Sequence, residues 1–144
     1  MLEILQQIPF QYWKHAKREF RRRFATVEWP EYPDHVTVAM TADELEACLR
    51  NHHFEDGSGW SLKYDGEVLN MRRPAGTDDQ GRPLEEHLRF RPADHGLEGN
   101  GHIEPSRWEE KTRHVEEEGL EWLSGGELAS LLESTGVDPD TIAI

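Results

Sequence analysis

Residues 86–105 read EHLRFRPADHGLEGNGHIEP. Leu88 and Phe90 alternate with His87, Arg89 and Arg91, and after a glycine-rich middle Ile103 alternates with His102 and Glu104. Successive strand residues face opposite sides of a sheet. The spacing therefore predicts a hairpin with one apolar face and one face carrying His87, Arg89, Arg91, His102 and Glu104. Between the arms, ADHGLEGNGH places glycines at 96, 99 and 101. Such a run could offer backbone donors to a phosphate, but it matches neither a P-loop nor a dinucleotide fingerprint. It reads as a long, flexible hairpin connection with His95 exposed.

Upstream, WSLKY and EVLNM flank Asp65-Gly66, a favoured two-residue turn. That turn would set Tyr64 opposite Glu67, Leu62 opposite Leu69 and Trp60 opposite Met71. The other face would then carry Ser61, Lys63, Val68, Asn70 and Arg72. RPAGTDDQGRP, with two prolines and two glycines, reads as a polar loop projecting into solvent.

Helices flank these hairpins. Trp13, Ala16, Phe20 and Phe24 recur at helical spacing, ringed by Lys14, Lys17, Arg18, Arg21, Arg22 and Arg23. His35–Met40 alternates as a strand. Thr41 and Glu44 form a capping box opening a helix to about His52, with Leu45, Cys48 and Leu49 inward. Ser106 with Glu109 and Ser124 with Glu127 repeat that signature, and Gly136 marks a stop. The tail VDPDTIAI reads as loose or as a short edge strand. The fold class expected is α+β: an antiparallel sheet built from two hairpins, about 59–73 and 86–105, packed by an N-terminal helix and two C-terminal helices. One domain spanning 1–144 is expected, with loose ends at 1–8 and 137–144.

Composition sets the surroundings. The 144 residues carry 29 Asp and Glu against four Lys and twelve Arg, for a net charge of −13. An acid-rich, lysine-poor surface suits concentrated salt, where screening suppresses self-repulsion. Five Trp, five Phe and three Tyr argue for a folded chain. Cys48 is the lone cysteine, so no internal disulfide forms. It reads as a small buried hydrophobe. No run reaches the length of a membrane span, and the first residues lack a signal-peptide pattern. These features indicate an acidic, halophilic, cytoplasmic protein with no membrane association.

The candidate site follows from the polar face. If both hairpins join one sheet, Asn70, Arg72, His87, Arg89, Arg91, His102 and Glu104 share a surface. A merely wetted face in so acidic a chain would favour Asp and Glu over Arg and His. The arginines can fork onto phosphate or carboxylate oxygens. His87 and His102 could exchange protons near neutral pH with Glu104 orienting one of them, the parts needed for phosphodiester or RNA cleavage. This requires the two rings within about 10 Å of each other. His87, His102, Glu104 and His114 are also an acceptable ligand set for zinc or iron. Arg89 and Arg91 nearby would oppose a cation, so neither a metal nor a cofactor is expected. The expected partner is a small anionic ligand or RNA. The alternative, from a different class, is a non-catalytic adaptor or regulatory module. It would meet a protein partner through Trp13, Lys17, Phe20, Arg21 and Phe24 of the basic helix. His52 and His53 are explained by the negative end of their helix.

Overall fold

The computed structural model describes residues 26–29, 34–57, 63–107, 109–115 and 119–144. Strands β6 (Pro83–Ala93) and β7 (Gly96–Pro105) form the expected hairpin, with His87 opposite His102 and Leu88 opposite Gly101. The connection is not a long loop. Ala93 pairs with Gly96, so only Asp94 and His95 turn the chain. The glycines belong to the strand because its partner fills their space. A Cβ at Gly101 would lie 2.6 Å from a Leu88 methyl, and one at Gly99 would enter the Phe90 ring and meet the Arg89 carbonyl. Backbone phosphate binding by this run is thereby removed as a reading, while His95 is exposed at the turn.

The first hairpin pairs differently from the expectation. The Asp65-Gly66 turn forms, with Gly66 at φ 74 and Glu67 N–H donating to the Tyr64 carbonyl at 3.1 Å. Strand β4 (Lys63–Tyr64) nevertheless pairs in parallel with β1 (Thr26–Val27). Strand β5 (Leu69–Thr77) takes β3 (Glu55–Asp56) on one edge, which sets Asp56 opposite Met71 where Trp60 was expected, and β6 on the other, with Leu69 opposite Phe90 and Met71 opposite Leu88. Trp60 and Leu62 lie outside the described residues. A two-residue turn is a local preference that fixes only the residues beside it, and the edge of β5 that it would pair is occupied by β3. Of the loop expected to project into solvent, Arg73–Thr77 instead continue β5 and only 78–82 turn the chain into β6; there Asp78 accepts from the N–H groups of Gln80 and Arg82, both at 2.9 Å.

The main sheet has seven strands in the order β3 (Glu55–Asp56), β5, β6, β7, β2 (Val36–Val38), β9 (Ile142–Ala143), with β8 (Glu121–Trp122) also on β7. Every pairing in it is antiparallel. The C-terminal stretch thus takes the edge-strand alternative.

Helices α1 (Ala42–Arg50) and α3 (Gly125–Ser134) open on complete capping boxes at Thr41 and Ser124. Gly136 follows α3 at φ 89, the left-handed stop expected there. Leu45, Leu49, Leu128 and Leu132 of these helices join Val36, Leu69, Met71, Leu88 and Phe90 in one core, with Cys48 half-buried against it. Helix α2 (Lys111–Val115) is short, and Ser106 Oγ caps the turn before it. The expected N-terminal helix lies outside the described residues. No helix among those described is long and apolar enough to cross a membrane.

Candidate functional site

Leu69, Met71, Leu88, Phe90 and Leu97 of β5, β6 and β7 share the core with α1 and α3, so strand alternation sends the intervening polar residues to the opposite side. Register then builds cross-strand rows. Arg72, His87, His102 and Trp122 form one row, and Asn70, Arg89 and Asn100 the next; Glu85 and Glu104 pair beyond the first. This face is not solvated. Asn70, Arg72, Glu85, His87, Arg89, Asn100, His102 and Glu104 are all buried, His87 and Glu104 at 2% exposure. From the described residues, cover comes from Trp122, whose ring lies 4.8 Å from that of His102, and from the buried Arg107 and His114.

Glu104 is the centre. His87 Nδ1 lies 3.2 Å from its Oε1, His102 Nε2 lies 3.1 Å from its Oε2, and His114 Nδ1 lies 3.6 Å from Oε1. Burial opposes its charge, but hydrogen bonds from His102 and His87 outweigh that and hold the carboxyl well below its ordinary range. The rings of His87 and His102 stand edge to face with centroids 5.0 Å apart, well inside the reach that proton transfer requires.

His87 is held between two acceptors. Beyond Glu104, its Nε2 meets Asn70 Oδ1 at 2.5 Å. The Asn70 amide cannot turn round, because its Nδ2 donates to Glu67 Oε1 at 2.9 Å and a carboxylate only accepts. Burial, then the neighbouring Arg89 charge, keep the imidazole well below the usual histidine range, so near neutral pH the ring carries one proton for two acceptors.

The arginines are matched by carboxylates. Arg89 Nη1 donates to Glu67 Oε2 at 2.7 Å and its guanidinium lies 4.0 Å from the centre of the Tyr64 ring. Arg72 Nη1 reaches Glu85 Oε1 at 3.3 Å, and both Arg72 and Arg107 donate to the Gly57 carbonyl, at 2.8 and 3.4 Å. Burial pushes Glu85 up to about 7 and moves Arg72 down from its usual value, so it draws both partners of that pair towards neutrality. His102 Nδ1 and Asn100 Oδ1 are buried without a hydrogen-bond partner. A cleft of about 130 Å³, lined in part by Arg72, Arg73, Glu85 and Ser106, reaches the edge of this polar layer.

Of the residues expected to share the face, Asn70, Arg72, His87, Arg89, His102 and Glu104 are brought together. Arg91 is not: its guanidinium is half-exposed, paired with Glu98 at 2.7 Å and 5.0 Å from the Trp29 ring. It sits towards the turn end of the hairpin, beyond the covered rows. Trp13, Lys17, Phe20, Arg21 and Phe24 lie outside the described residues. Glu85 and Asn100 escaped the sequence reading, although each is in strand phase with residues it named. Glu67 and Arg107 gave no periodic signal. One ligand atom from each of His87, His102 and Glu104 lies within 4.8 Å of the others, and the same holds for Glu85, Glu104 and His114. In the second group His114 Nδ1 already faces the Pro105 carbonyl at 3.0 Å, which ties up the atom that would bind. His52 Nδ1 lies 3.0 Å from the Cys48 carbonyl, in keeping with its place at the end of α1. No known family model, curated protein or solved structure matches the chain, so the site is read from its own geometry.

Proposed function

We propose that the buried polar face of the sheet is the functional centre, and that it binds an anionic ligand bearing phosphate or carboxylate and moves protons on it. The observation carrying this reading is the dry constellation of two imidazoles, His87 and His102, bracketing Glu104 beside two polar atoms left without partners. Buried unsatisfied atoms are uncommon in folded proteins and tend to mark sites that receive something. The cleft at Arg72 and Glu85 is the route in. Arg72, which lines the cleft, shares the Gly57 carbonyl with Arg107 behind it, and an incoming oxyanion would compete with Glu85 for the Arg72 fork. The sharper form of the reading is phosphodiester or RNA cleavage, one ring accepting a proton and the other donating one. A salt-rich cytoplasm fits it, because ion pairs sealed from water escape the screening that weakens surface charges.

The test is a chemical-shift titration with inorganic phosphate and with a dinucleotide, in molar KCl, on the full chain. Saturable shifts confined to residues 70–72, 85–89, 100–107 and their neighbours are expected. In Arg72→Lys, which keeps the charge but loses the fork, affinity should fall about tenfold. Absence of shifts on this face with both probes would sink the reading.

A further inference from the structure

We infer that His87 Nδ1, His102 Nε2 and the Glu104 carboxylate are the three protein ligands of a divalent transition-metal ion, with zinc or iron(II) the class that fits. The inference rests on the reading that this face binds an anionic ligand, and it puts a metal in place of proton transfer between the two rings, because ligation takes up the lone pair of each imidazole. Two imidazole nitrogens and one carboxylate are the donor set of catalytic zinc sites and of the facial triad of non-haem iron(II). Such a set leaves coordination positions open for water or for an anion's oxygens.

Backbone register makes the geometry. His87 and His102 are a directly opposed pair on adjacent strands, and Glu104 follows two residues on, on the same face. Ligand atoms about 2.05 Å from a tetrahedral ion stand about 3.3 Å from one another. His87 Nδ1 lies 3.2 Å from Glu104 Oε1 and His102 Nε2 lies 3.1 Å from Oε2, so each imidazole already meets one oxygen of the shared carboxylate at such a spacing. One ligand atom from each of the three residues lies within 4.8 Å of the others.

The surroundings of His87 are the second support. Its Nδ1 faces the Glu104 carboxylate and its Nε2 faces Asn70 Oδ1. A metal on Nδ1 would leave Nε2 free to keep its proton. Nε2–H then donates to Asn70 Oδ1, Asn70 Nδ2 donates to Glu67, and Glu67 is held by Arg89. Such a chain behind a ligating histidine fixes its tautomer and ring plane. The objection that the arginines repel a cation weakens once they are placed. Arg89 is spent on Glu67 and the Tyr64 ring, and Arg91 stands apart with Glu98. Among the described buried side chains, Arg72, Arg89 and Arg107 are balanced in number by Glu67, Glu85 and Glu104.

The test uses chelator-stripped full-length protein titrated with Co²⁺ as a spectroscopic probe, then with Zn²⁺ and with Mg²⁺. One Co²⁺ per chain with visible d–d absorption is expected. Zn²⁺ should displace it and shift the His87 and His102 ring signals, and Mg²⁺ should do neither. His102→Asn and Glu104→Gln should each weaken Zn²⁺ affinity at least 100-fold, whereas His95→Asn at the exposed turn should not change it. The wild-type titration decides the matter even if a variant fails to fold. No d–d bands, or shifts only at His35, His52, His53 or His95, overturns the inference. Repeating the phosphate titration with and without Zn²⁺ separates the two readings. Phosphate shifts on this face without any metal binding overturn the metal centre and leave the acid–base site. Metal bound with no response to phosphate overturns the anion site and keeps the metal.

Discussion

The two faces of β5, β6 and β7 share one backbone and are held by different physics. On one side Leu69, Met71, Leu88 and Phe90 meet α1 and α3, where any well-fitting apolar shape would serve. On the other, Arg72, Arg89, Glu85, His87, His102 and Glu104 are equally buried, and each requires a specific partner. A shape error costs in proportion to its volume. A lost partner strands a charge away from water, and that cost arrives whole. The polar face therefore weakens stability unless it does something an apolar face cannot.

The sharpest way to break the comparison is to strand one charge. Arg89→Ala leaves Glu67 buried and unpaired, its side chain only 4% exposed, and should cost about 3–5 kcal/mol in denaturant melts. The double variant Arg89→Met with Glu67→Leu should recover most of that loss, since replacing both members of a buried pair is often neutral. If the single and double variants are equally unstable, the face is held by packing and the contrast drawn here disappears.

On the apolar face the expected losses are smaller and graded. Leu88→Ala should cost about 2–4 kcal/mol through lost burial and the cavity it leaves. Gly101→Ala drives a Cβ to 2.6 Å from the far end of that same leucine and should cost about 1–3 kcal/mol. Combining Gly101→Ala with Leu88→Val should restore part of it, because the obstructing atom is a movable methyl. At Gly99 the obstacle includes the Arg89 carbonyl, so no trimming of Phe90 should rescue Gly99→Ala to the same degree. Equal rescue at both positions would show that the strand glycines are not there for close approach.

What could be read from the chain follows the same division. Strand phase was legible, because His87, Arg89, His102 and Glu104 recur at even spacing between Leu88, Phe90 and Ile103. Capping at Thr41 and Ser124 was legible because it is settled within four residues. The partner of β5 was not. Asp65-Gly66 makes its turn as its chemistry demands, but the edge of β5 expected to pair after it is taken by β3, with Asp56 opposite Met71, a contact set between segments well apart in the chain. Nor could alternation tell a wet face from a dry one. Arg107, His114 and Trp122 approach from beyond β7, and no local pattern announces that they cover it.

The smallest effect is expected where the same residue types meet in water. At the β5–β6 turn, Asp78 pairs with Arg82 at 2.9 Å and with Arg113 at 3.3 Å, close to solvent. The Arg82 backbone N–H first, then the Gln80 N–H and the Arg82 side chain, hold the Asp78 carboxyl down at about 2 against an ordinary value of 3.8. Its folded value is depressed, so its contribution is complete above the ordinary value and is lost as pH falls through about 2. The Gln80 and Arg82 amide signals should therefore stay constant from pH 6 down to about pH 3, and a midpoint near 3.8 would show that the turn does not hold the carboxylate. Asp78→Asn should lower the melting temperature by a few degrees at most in dilute buffer, and by less in molar KCl, where the Debye length shrinks to about 3 Å. The loss from Arg89→Ala should be nearly the same in both salts, because water and ions do not reach that pair. A salt response as large at Arg89 as at Asp78 would place the polar face in contact with solvent, and the case for a dry site would go with it.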